Sequence, residues 1–202
     1  ECIFENYFYL IMTANTPQKY IKSVLNNMPK DWLNLTTHRL DIYNESLAKT
    51  EFTTQFNQLY LQNNSETTAL KKIPTAYDYI RLGHPLSCIL EWGIANVQNT
   101  KPENIISFSS QTTPILAILR KNLLDNKKTQ IYYSGEIPNF FDTEVVKAVY
   151  GYHFEIKKVN NPSEITTFNG TVIYISKNNT IETQKLDANV DFYINLYEEL
   201  GS

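Results

Sequence analysis

Apolar positions in the first third of the chain recur at helical spacing. In "TPQKYIKSVLNNM", Tyr20, Ile21, Val24 and Leu25 fall on one side of a 3.6-residue period. Thr16 stands ahead of them as a cap and Pro17 takes the first helical position. "NESLAKTEFTTQFNQLYLQ" repeats the pattern with Leu47, Phe52, Phe56, Leu59 and Leu61. "QNNSETTALKKIPT" then loses the period, is rich in Asn, Ser and Thr, and reads as a loop closed by Pro74. Residues 1–70 are therefore expected to form a helical N-terminal region.

Beyond residue 70 the pattern alternates. Pro85 opens a predicted helix whose Leu86, Ile89, Leu90, Ile94 and Val97 share a face. β-rich runs predict strands at Ile105–Phe108, Gln130–Tyr133, His153–Lys157 and Val172–Ile175. The run "GTVIYIS" is continuously apolar, as in a strand buried on both faces. Helices are predicted between them in "TTPILAILRKNLLDN" and in "NFFDTEVVKAVYG", the latter stopping at Gly151, and a last one in "DANVDFYINLYEEL". Alternating strands and helices imply βαβ units. The fold class expected is α/β, a mainly parallel sheet flanked by helices, with residues 71–202 as the α/β layer.

Composition narrows the function classes. Hydrophobic residues make up 42% and charged residues 19% of the 202, the balance of a chain that folds around a core. A net charge of -3 gives no basic surface for nucleic acid, and no apolar run reaches the length of a membrane span. Neither partner is expected. Cys2 and Cys88 lie far apart with no CxxC pair, which points to free thiols in a reducing, cytoplasmic setting. His38, His84 and His153 have no metal-ligand spacing, so no metal is expected.

Two features could carry chemistry. In "SFSSQTTPILAIL" a strand is expected to end at Ser109-Ser110 and a helix to start near Thr113-Pro114. Free amides and a partial positive charge at a helix N-terminus suit a phosphate, and the Ser and Thr hydroxyls add donors there. The same residues serve equally well as a plain helix cap. Upstream, in "AYDYIRLGHPLSCILEWGIA", Tyr79 and Arg81 offer a phenolic hydroxyl and a bidentate cation, both suited to an anion.

Taken in order, "YDYIRLGHPLSCILEWGIANVQ" and "NIISFSSQTTPILAILRKNLL" resemble the Cys/Met-metabolism family of pyridoxal-phosphate enzymes, the cystathionine γ-synthase/γ-lyase group. That family has a Tyr-x-Arg-x-x-Asn-Pro motif, which stands here as Tyr79-Ile80-Arg81-Leu82-Gly83-His84-Pro85, with His84 in place of Asn. Its helix centre is matched by Leu90-Glu91, and its Ser-Gly-Met turn by Ser110, Gln111 and Thr112. The resemblance runs from about Tyr77 to Glu182. It implies that Ser110, Gln111 and Thr112 hold the phosphate of pyridoxal phosphate. It implies too that Tyr79 and Arg81 reach across a homo-oligomer, a dimer, to the neighbouring subunit's cofactor. The ring-stacking Tyr would fall near Ile137, where this chain has none. The family's Asp and Schiff-base Lys are expected beyond the last residue, with Lys177 the one lysine to consider as a substitute. The expected function is thus a fragment or degenerate relative of a sulfur amino acid lyase or transferase that retains a phosphate-binding turn. The alternative is a non-catalytic binding or interaction module on an α/β scaffold.

Overall fold

A computed structural model describes residues 16–33, 45–74, 84–177 and 187–197. The chain forms two compact units, Glu1–Ile106 and Ser107–Ser202.

The first unit is helical. Helix α1 spans Pro17–Asn27, with Thr16 accepting a hydrogen bond from the Lys19 amide. A 3-10 turn at Lys30–Leu33, helix α2 at Glu45–Leu61 and a single helical turn, α3, at Thr67–Leu70 follow. That turn lies in the segment expected to be a loop, where Leu70 is fully buried and anchors it. Helix α4 spans Pro85–Val97. His84 caps it: its Nδ1 accepts the Leu86 amide at 3.2 Å, so this histidine supplies the acceptor an Asn cap would supply.

The core of this unit is aromatic. Tyr20 from α1, Phe52 and Phe56 from α2 and Trp92 from α4 are all essentially inaccessible. Phe56 and Trp92 meet edge to face at 5.0 Å between centroids. Trp92 donates its indole N–H to Asn57 Oδ1, and Tyr20 donates its hydroxyl to the Asn64 carbonyl at 2.8 Å. The buried face of α4 is thus Cys88, Ile89, Trp92 and Ala95, whereas Leu90, expected on that face, is exposed. Trp92 is the largest apolar side chain on the helix, and its burial sets the rotation. Since α4 packs in the same cluster as Tyr20 and Phe56, the helical unit extends well past residue 70.

No strand forms at Ile105–Phe108. That run finds no neighbouring strand; instead the Ile105 carbonyl accepts the Lys49 ammonium at 2.7 Å. Lys49 also pairs with the buried carboxylate of Glu91.

The second unit is α/β. Helix α5 (Thr113–Leu124) leads into β1 (Thr129–Tyr133), helix α6 (Thr143–Tyr150) into β2 (Phe154–Lys158), and β3 (Thr171–Lys177) and β4 (Phe192–Leu196) complete a sheet. All pairings are parallel and the order is β2-β1-β3-β4. The strands foreseen at Gln130, His153 and Val172 are present, shifted or extended by a residue or two. Six of the seven β3 residues are buried, as its unbroken apolar run requires. Asp142 caps α6 by accepting the Glu144 and Val145 amides at 3.0 Å, and Gly151 ends it in the left-handed region at φ 67°.

The last predicted helix is instead β4. Ile194 and Leu196 point into one face of the sheet while Tyr193 packs on the other. That two-residue alternation outweighs the helical reading once β3 offers an open edge. One face of the sheet carries Ile131, Ile173 and Ile175 under α5 and α6; the other carries Tyr132, Val172 and Tyr174 under Val159 and Ile165.

Candidate functional site

The strand order reverses direction between β1 and β3. The connection from β1 to β2 runs through α6 on one face, and the connection from β2 to β3 returns over the other, past Val159 and Ile165. Right-handed crossovers going opposite ways must use opposite faces. In an open parallel sheet the point where the strand order reverses, beyond the C-terminal ends of β1 and β3, is the usual ligand position.

Besides Lys177, the polar residues at that edge are hydroxyl and amide groups. The Ser134 amide, just after β1, donates to the Ile175 carbonyl, and its hydroxyl accepts the Tyr174 hydroxyl at 2.8 Å. Ser176 near the end of β3 donates to Asn195 Oδ1, and Asn195 donates through Nδ2 to the Tyr197 hydroxyl at 2.8 Å. Gln111 Nε2 donates to the Tyr197 carbonyl at 2.8 Å. One bond thus fastens the turn before α5 to the Tyr197 main chain, and a separate side-chain chain runs from Ser176 through Asn195 to the Tyr197 hydroxyl. Sequence reasoning singled out Gln111 but missed Asn195 and Tyr197, because it assigned them to a helix.

The turn itself is self-capped. Ser110 Oγ accepts the Thr112 and Thr113 amides, each at 3.3 Å, and lies 3.2 Å from Thr112 Oγ1. Pro114 has no N–H to give. The amides foreseen as anion donors are thus satisfied by Ser110, and a ligand oxygen takes them only when that hydroxyl rotates away. Ser110, Gln111 and Thr112 form the turn that leads into α5. Tyr79 and Arg81 lie outside the described residues.

The fit to pyridoxal phosphate is divided. Hydroxyl and amide donors at the start of α5 match the phosphate in kind. The described C-terminal ends of β1, β3 and β4 present Ser134, Ser176 and Asn195, none of them a carboxylate that could partner a pyridine nitrogen. Lys177 is exposed at the end of β3, without the desolvation that frees an amine for Schiff-base chemistry.

Among the described residues, no helix is long and apolar enough to cross a membrane, and no three metal-ligating side chains cluster. No protein-family model, curated protein or solved structure matches this chain.

Proposed function

We propose that the second unit is a binding layer for a phosphate-bearing small molecule of the pyridoxal-phosphate class. The ligand sits at the C-terminal edge of the sheet, in a degenerate relative of the Cys/Met-metabolism enzymes. One observation carries this reading: Gln111, held on the Tyr197 carbonyl, and the Ser176–Asn195–Tyr197 hydroxyl chain place polar groups together at the C-terminal edge of the sheet. In this role the phosphate takes the Thr112 and Thr113 amides from Ser110, and Gln111 holds the turn against β4. When bound, such a cofactor supplies an electron sink for carbanions. The described residues bind and orient it but provide neither a buried lysine nor an acid for the ring, so the unit binds without turning over sulfur amino acids by itself.

A second reading, a non-catalytic interaction module, is favoured by Ser110: a turn that caps itself needs no ligand to be stable. Calorimetry with pyridoxine 5′-phosphate, which has no aldehyde to react with surface lysines, separates the two. Binding that inorganic phosphate competes away, that unphosphorylated pyridoxine lacks, and that Gln111→Ala weakens several-fold supports the cofactor site. Absence of heat at millimolar ligand leaves the interaction module. Borohydride reduction of a mixture with pyridoxal phosphate is expected to give no stoichiometric adduct at one residue; such an adduct at Lys177 would overturn the non-catalytic assignment.

A further inference from the structure

At the opposite edge of the same sheet, an open groove of about 680 Å³ runs along the starts of β1 and β2 and the flank of α6. Its apolar lining is aromatic. Tyr152 and Phe154 are almost fully buried beneath it, and Phe168 is half-buried at its side. Glycine is required at position 170 to bring Phe168 there: a Cβ would stand 2.5 Å from both the Phe168 ring and the Lys128 carbonyl.

The groove lining carries Lys128 and Lys147 against Glu144 and Glu155, with the His153 imidazole beside them. Its two carboxylates are matched from their own elements, Glu144 by Lys147 at 3.7 Å and Glu155 by Lys157 at 3.5 Å. Lys147 is further engaged over the Phe154 ring, 5.2 Å from its centroid. Lys128 and His153 are left over. Both are exposed, and among the described residues neither side chain has an ion pair or hydrogen bond. They immediately precede the paired residues Thr129 and Phe154, so they stand at the starts of neighbouring parallel strands.

We propose that this groove binds a planar aromatic ring bearing an acidic group, with the ring against Phe168 and the acid between Lys128 and His153. The chemistry is shared by nucleoside monophosphates and by aromatic carboxylates. An aromatic wall supplies contact area that tolerates different rings, the Lys128 ammonium supplies the preference for an anion, and the His153 imidazole beside it offers a further polar contact. Neither feature alone would select this class: inorganic phosphate lacks the ring, and an uncharged nucleoside lacks the acid.

The test is a titration of the full chain followed by the amide resonances of Lys128, His153 and Phe168, using adenosine 5′-monophosphate, 1-naphthoate, adenosine and inorganic phosphate. The two ring-bearing anions are expected to shift these amides with low-millimolar affinity, and adenosine and phosphate at least fivefold more weakly. A response to only one of the two anions identifies the source class and still supports the groove. Lys128→Ala and Phe168→Ala should each weaken binding at least threefold, and because Lys128 is exposed, its variant keeps the wild-type fold. The proposal is overturned if neither anion shifts these amides at 10 mM, if adenosine matches its monophosphate, or if Lys128→Ala binds unchanged. Reading the groove amides separately from those of Ser110–Thr113 keeps this outcome independent of the phosphate site at the other edge.

Discussion

Tyr20 joins local sequence to tertiary stability at a single atom. Its ring is packed against Phe56, Tyr60 and Trp92, and its hydroxyl donates to the Asn64 carbonyl. Burial disfavours the phenolate and pushes the phenol up to about 12, from about 10 in an unfolded chain. Because the folded state holds its proton more tightly, Tyr20 contributes full stability below pH 10. That contribution declines as pH rises from about 10 through about 12. Urea titrations at pH 8, 10 and 11.5 should show the midpoint falling across the last interval, and Tyr20→Phe should flatten that fall. An unchanged slope in Tyr20→Phe would assign the alkaline loss to other groups. Tyr20 is legible as a core residue from its spacing alone. Its hydroxyl partner is not, since Asn64 lies 44 residues away and meets it only after α2 folds back.

At the scale of elements, Asn122 does what no periodicity announces. It sits on the buried side of α5, donates to Thr129 Oγ1 at 2.8 Å and accepts from Thr171 Oγ1 at 3.2 Å. One amide therefore ties a helix to the first residues of β1 and β3 and satisfies two buried hydroxyls. Asn122→Ala should cost about 2 kcal/mol, because the hydroxyls are left without a partner in a dry site. Adding Thr129→Val to that variant should cost less than the sum of the two single changes, since the orphaned group is removed. Chemical denaturation of the three variants checks both figures. The elements were readable where capping and period agreed: Thr16 and Pro17 for α1, Asp142 and Gly151 for α6, the unbroken run of β3. They were misread where only one signal was present. Ile105–Phe108 has β composition but no partner strand, and a four-residue run cannot satisfy its own backbone.

Over the whole molecule, the two units are built by different means. The first closes around interlocking aromatic rings on three helices, and the second around aliphatic strands under two helices. Edge strand β2 exposes Glu155, Lys157 and Lys158, charges that discourage pairing with another chain. Repulsion between molecules follows net charge, which is -3 at pH 7 and vanishes near pH 5.7. Light scattering between pH 4.5 and 8 should therefore show self-association greatest near pH 5.7 and diminishing at pH 7.5. A scattering maximum at neutral pH would point to the exposed apolar side chains Phe140, Val145 and Val149 instead.

The sequence by itself determined the α/β class, the start of each well-capped helix and three of the four strands. These depend on interactions within about ten residues, and period, proline, glycine and cap chemistry encode such interactions directly. Tertiary structure alone decided the rest. Phe192–Leu196 suits a helix or a strand locally, and the exposed edge of β3 selects the strand by supplying a partner for its backbone. Trp92 rather than Leu90 turned inward on α4 because a bulky ring was needed against Tyr20 and Phe56. The anion donors at α5 were satisfied by Ser110 because the turn curls its hydroxyl back over its own amides. That is a matter of backbone geometry, and residue identity does not specify it.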